Sequence, residues 1–165
     1  MTELNFRRYR PGDADPVWHL HEWALEEAGT DPADLPGVKD LRAVEATYLD
    51  DGDFVVGIAA EARRDERRLR TDDGVLVAMG GFLPSEAGHE DERAVAGAAE
   101  LHRMRVAPTR QGSGHGRVLL KTLEKRAAAA GFDRLLATTA ARQAAAVELY
   151  ESAGYDRVGA STYGE

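Results

Sequence analysis

Segments of strand and helix character alternate along the chain in the order β-α-α-β-β-β-α-β-α-β, which predicts a protein of mixed α/β (α+β) class. Three observations carry that prediction. Two apolar runs, 54–60 and 75–83, read as neighbouring antiparallel strands joined by the charged segment 61–73. A glycine-rich turn, Arg110-Gln111-Gly112-Ser113-Gly114-His115-Gly116, sits between a strand ending at Val106 and a helix running to about Ala130. The length, 165 residues, predicts one domain spanning 1–165, large enough to bury a core without disulfides or metal.

The elements follow in order. Residues 6–10 alternate aromatic and charged side chains, a short strand stopped by Pro11-Gly12. Asp13 or Asp15 is placed to cap the next helix, with Pro16 in its first turn. Trp18, Leu20, Trp23, Leu25 and Ala28 give that helix a broad apolar side, and Gly29 ends it. After a loop over 31–37, Leu41, Val44, Thr47 and Tyr48 recur at helical spacing before Asp50-Asp51-Gly52. The arginines 63, 64, 67, 68 and 70 among acids predict that 61–73 is a solvated hairpin. Residues 84–97 read as a polar loop, 99–106 as a strand, 134–139 as a strand, 141–153 as a helix and 155–161 as a final strand.

The glycine turn is the most telling local feature. Gly112, Gly114 and Gly116 expose backbone N–H groups without a Cβ in front of them, and the helix that follows turns the positive end of its dipole to the same point. Such a turn suits a phosphate or pyrophosphate. It is not the triphosphate loop, because no Gly-Lys pair occurs in the chain. It is not the dinucleotide fingerprint either, since the third glycine position holds Arg117 or Leu119 in the two registers.

What fits is Gln/Arg-x-x-Gly-x-Gly/Ala at Gln111 to Gly116, preceded by Ala99-Glu100-Leu101-His102-Arg103-Met104-Arg105-Val106-Ala107-Pro108 and followed by Ala146-Val147-Glu148-Leu149-Tyr150-Glu151-Ser152-Ala153-Gly154-Tyr155. In these three motifs the chain resembles the GCN5-related N-acetyltransferase (GNAT) family. The resemblance implies a mixed, mostly antiparallel sheet of six to seven strands flanked by helices on both faces. It implies acetyl-coenzyme A as co-substrate and an amine-bearing acceptor, with no metal. The family's seventh strand has little room here, as few residues follow Gly154.

Site residues follow from the same resemblance. Gln111, Gly112, Ser113, Gly114, His115, Gly116 and Arg117 would take the coenzyme A pyrophosphate. Met104, Arg105 and Val106 would run beside the pantetheine arm, with an N–H near Met104 or Arg105 for the thioester oxygen, while Met104 and Val106 also read as core-facing strand residues. Tyr150 matches the family tyrosine that protonates the leaving thiolate, a phenol suited to that role by its basicity; otherwise it packs at a helix rim. Gln143 stands where the family has a cofactor-contacting asparagine. Glu100 is a candidate general base, or else a strand-end acid in solvent, and His102, on the same face by strand alternation, is a second candidate. Trp18, Trp23, Glu26 and Tyr48 fall in the helical region that shapes the family's acceptor pocket. His19, His21 and Glu22 lack metal-ligand spacing.

Composition narrows the function classes. A net charge of −8 argues against nucleic acid and weakly favours cationic acceptors. No apolar run approaches the ~20 residues of a membrane span, and the N-terminus lacks a signal pattern, so a cytoplasmic protein is expected. With no cysteine, an enzyme-thioester intermediate is impossible and direct attack in a ternary complex is expected. The alternative is a non-catalytic acyl-coenzyme A-binding sensor or scaffold of the same fold. A sheet lacking its seventh strand has an open edge, which predicts a homodimer through the C-terminal strand region.

Overall fold

Three long strands form the centre of the molecule, and two of them, rich in apolar side chains on both faces, are covered from either side. The computed structural model describes residues 4–27, 43–49, 52–84 and 98–137. Strand β2 (Asp53–Ala59) is buried along its whole length, and β4 (Gly74–Pro84) and β5 (Ala98–Val106) lie beside it. Near-continuous runs such as Val75 to Met79 suit a sheet covered on both sides. An edge strand, β1 (Asn5–Arg8), pairs antiparallel with β2, and the two-residue β3 (Arg70–Thr71) pairs with β4. On the far side, β6 (Arg134–Ala137) runs parallel to β5. The order is β1-β2-β4-β5-β6, with β3 off this path. All pairings but the last are antiparallel, as expected of a mixed, mostly antiparallel sheet.

Helices cover both faces. Helix α1 (Ala14–Glu27) and the short α2 (Val44–Tyr48) close one face, where Val17, Leu20, Val44 and Tyr48 pack on Phe54, Val56 and Met79. Helix α3 (His115–Ala129) closes the other, packing Leu119, Leu120, Leu123 and Ala127 on Val55, Ala78, Phe82, Ala99 and Leu101. The i, i+4 and i+8 spacing of Leu119, Leu123 and Ala127 makes one apolar stripe on that helix.

Two local expectations change. Asp13 does not cap α1. Its carboxylate accepts the Arg10 backbone N–H (2.8 Å) and a bidentate pair of bonds from Arg7 (2.7 and 2.9 Å), locking the 3-10 turn Pro11–Asp13 that leads into the helix. The segment 61–73 is not a fully solvated hairpin. Its five arginines are exposed, but Glu66 and Leu69 are buried, and the 3-10 turn Arg67–Leu69 packs beneath α1. A carboxylate enters a core only with enough donors to replace water, and Glu66 has them. The expected helix 141–153, the strand 155–161 and the open edge that predicted a dimer lie outside the described residues.

Candidate functional site

Strand β5 changes character halfway along. Ala98 to Leu101 are buried, whereas His102 to Val106 are half-buried. Among the described residues the parallel pairing with β6 covers Ala98 to Leu101 only. On the other side, His102 stands opposite Gly81 and Arg105 opposite Met79, so Arg103 and Met104 together face Gly80. This is a β-bulge, and Arg103 takes the left-handed conformation it requires (φ +57°). The bulge reverses the side-chain parity. Ala99 and Leu101 point to α3, and so do Met104 and Val106, which strict alternation would have sent to the other face. Gly80 lets this happen, since a Cβ there would stand 3.0 Å from Met104 Cγ and 3.1 Å from Leu123 Cδ1.

Glu100 and His102 share the opposite face, as alternation predicted up to the bulge. Glu100 is only 3 % exposed, so the alternative of a solvated strand-end acid is excluded. The His102 ring lies edge-on to Tyr48, with centroids 6.2 Å apart. Gly81, opposite His102, makes room for this arrangement: a Cβ there would fall 2.8 Å from the Asp53 carbonyl and 3.2 Å from the Tyr48 ring.

Beyond β5 the chain makes the 3-10 turn Pro108–Arg110 and enters the glycine turn. Gly112 and Gly114 have φ of +84° and +83°, and at neither would a Cβ meet another atom within 4 Å. The glycines are therefore required by backbone conformation and leave open space before the first N–H groups of α3. This geometry fits the phosphate cradle inferred from sequence. Gln111 contributes differently from expectation, because its side-chain amide donates to the Val106 carbonyl (3.1 Å) and closes the turn on the strand. Gln111, Gly112, Ser113 and Arg117 are exposed. His115 opens α3 and is buried; burial foremost, and then the charges of Arg110 and Arg63, holds its imidazole below the usual histidine range.

Sequence reasoning missed Arg110 and Glu66. Both are buried, 1 % and 0 % exposed, and form a two-point ion pair: Arg110 Nε donates to Glu66 Oε2 and Nη2 to Oε1, each at 2.7 Å. Glu66 also accepts the Thr109 hydroxyl (2.5 Å) and the Arg63 backbone N–H (2.6 Å). Burial alone would raise its carboxyl, but these hydrogen bonds prevail and hold it down to about 2. The run of charge around Glu66 concealed this role, because nothing in a sequence distinguishes one buried acid among exposed ones.

A cleft of about 400 Å³ lies between α1, the 61–69 segment and the 3-10 turn, lined by Trp23, Glu26, Asp65, Arg68 and Thr109 among others. Trp23 and Glu26 thus meet in one hollow, while Tyr48 packs in the core by His102. His19 Nδ1 accepts from Arg68 (2.6 Å), and His21 is buried against Trp18. No group of three or more His, Asp or Glu able to hold a metal occurs among the described residues, nor does a helix long and apolar enough to cross a membrane. Tyr150 and Gln143 lie outside the described residues.

Comparison with known proteins agrees with this architecture. The acetyltransferase (GNAT) family model matches residues 44–155. Among solved structures, the aminoglycoside N-acetyltransferase AAC(6')-Iy, held with a coenzyme A bisubstrate analogue, superposes with a TM-score of 0.72 at 11% identity, over 99% of this chain and 97% of that one. An acetyltransferase of the GNAT family from Staphylococcus aureus Mu50 gives 0.70 at 17% identity, over 92% and 84%. A transcriptional regulator from Bacillus halodurans C-125 gives 0.67 at 18% identity, over 99% of each chain. At these identities the likeness is one of fold. No curated protein sequence matches the chain.

Proposed function

The chain belongs to the GNAT acetyltransferase family, and on that footing we propose that it is an N-acetyltransferase moving an acetyl group from acetyl-coenzyme A to a primary amine by direct attack. The observation that carries the reading is the continuity of a bulged, half-buried β5 with an open left-handed glycine turn at the start of α3. Residues 111–117 take the pyrophosphate on backbone N–H groups and the α3 dipole. Met104, Arg105 and Val106 lie along the pantetheine arm. The amine nitrogen attacks the thioester carbonyl carbon, a C–N bond forms and the C–S bond breaks. Glu100, or His102 beside it, takes the amine proton, and Tyr150 gives its phenol proton to the departing thiolate. Gln143 contacts the cofactor.

The cleft by Trp23 and Glu26 supports an acceptor carrying positive charge, in keeping with the acidic balance of the chain. The test is release of free thiol from acetyl-coenzyme A in the presence of a panel of polyamines, aminoglycosides, amino acids and peptides. Amine-dependent thiol release is expected. Tight coenzyme A binding with no release for any amine would favour the sensor reading, and no binding would refute both.

A further inference from the structure

We infer that Glu66 is a positioning residue for the anion cradle, acting through Arg110 and Thr109 from a segment distant in sequence. The inference rests on the acetyltransferase reading above, because it concerns the turn that reading assigns to coenzyme A. Five hydrogen bonds join residues 61–66 to the 3-10 turn Pro108–Arg110, from which the glycine turn departs. Three converge on the Glu66 carboxylate, which also accepts the Arg63 backbone N–H of its own segment. The other two run from Arg110 Nη2 to the Glu61 carbonyl (2.8 Å) and from Arg63 Nη1 to the Thr109 carbonyl (2.7 Å).

This is more than packing requires. An apolar side chain at each position would fill the volume without the cost of taking two charges out of water, and such replacements in other cores are neutral or stabilising. What the ion pair adds is direction. A guanidinium held at two points by a carboxylate fixes its plane, and Arg110 is the residue immediately before Gln111. The glycines that follow have no side chains to anchor them, and no atom lies within 4 Å of the Cβ positions of Gly112 and Gly114. The turn must therefore be aimed from its ends. At one end the α3 ladder begins, with Val118 N–H donating to the Gly114 carbonyl (3.2 Å). At the other stands the Glu66 clamp. Arg110 Nη1, on the flank of the guanidinium away from Glu66, is buried with no hydrogen-bond partner among the described residues.

The test compares coenzyme A with pantetheine, which lacks every phosphate, by calorimetry and NMR titration. Glu66→Gln should weaken coenzyme A about tenfold, the scale of one hydrogen bond to a charged group, and leave pantetheine unchanged. Because Glu66→Gln strands a buried cation and can unfold the protein, the paired variant Glu66→Leu with Arg110→Met is made alongside. It should melt no lower than the native protein, yet show the same selective loss of coenzyme A. A paired variant that binds coenzyme A as tightly as the native protein, or that loses both ligands equally, overturns the inference. A native protein that binds no coenzyme A removes the acetyltransferase reading itself, so the two failures are distinguishable.

Discussion

The two faces of the sheet are built on different terms. The α3 face is apolar along its centre, with Val55, Ala78, Phe82, Ala99 and Leu101 meeting Leu119, Leu120, Leu123 and Ala127. Its charged member, Asp53, sits at the start of β2 and is held by Arg8 and Arg126 at 2.9 and 2.8 Å. The α1 face holds the larger apolar cluster but also buries Glu100, His21 and the Glu66–Arg110 pair, with His102 at its edge. Buried polar groups stabilise a fold poorly, because each must recover its lost hydration. The difference teaches that the α3 face serves packing almost alone, whereas the α1 face adds to its packing the buried polar groups on which the proposed reaction draws, and that the glycine turn lies at the seam where β5 hands the chain from sheet to α3.

Substitutions can break this division. The largest effect on folding is expected on the α3 face: Leu123→Ala should cost about 2–5 kcal/mol in urea unfolding, while the folded fraction keeps native coenzyme A affinity. A loss of affinity in that fraction would show that the α3 core also shapes the site. Glu100→Gln on the other face should do the reverse. Turnover should fall about a hundredfold with stability nearly unchanged, and activity should recover partly at high pH, where the amine is already deprotonated. A pH–rate profile superimposable on the native one would move the base to His102 or to water.

At the seam, Gly114→Val should weaken coenzyme A about tenfold or more, as charge-assisted bonds to the N–H groups are obstructed. Unchanged affinity in the folded variant would place the pyrophosphate elsewhere. The smallest effect concerns His115. Its folded-state proton affinity is lowered, so below the ordinary value of about 6.5 the unfolded chain binds a proton that the folded chain refuses, and stability declines as pH falls through that value. A bound anion would restore the proton affinity, so coenzyme A should bind with fractional proton uptake near pH 6, read from calorimetry in buffers of different ionisation enthalpy. The uptake should vanish in His115→Gln. Identical uptake in that variant would assign the proton to the phosphates.

Local pattern alone determined much of this protein. Alternation and apolar runs placed the strands, helical spacing placed α1, and glycines at alternate positions announced an anion-binding turn at the start of α3. All of these are short-range properties of the backbone and of side-chain spacing, which a sequence states directly. Tertiary structure decided the rest. The bulge at Arg103 depends on Gly80 across the sheet, so the parity of Met104 and Val106 was not readable from β5 by itself. The burial of Glu100 depends on the neighbours that cover it, and solvent or core are equally compatible with an acid near a strand's start. Glu66 and Arg110 are far apart in the chain, and each looks like one charge among many. Only folding brings the three donors of Thr109 and Arg110 to that carboxylate, because long-range electrostatics and desolvation act through distance in space and leave no period in the sequence.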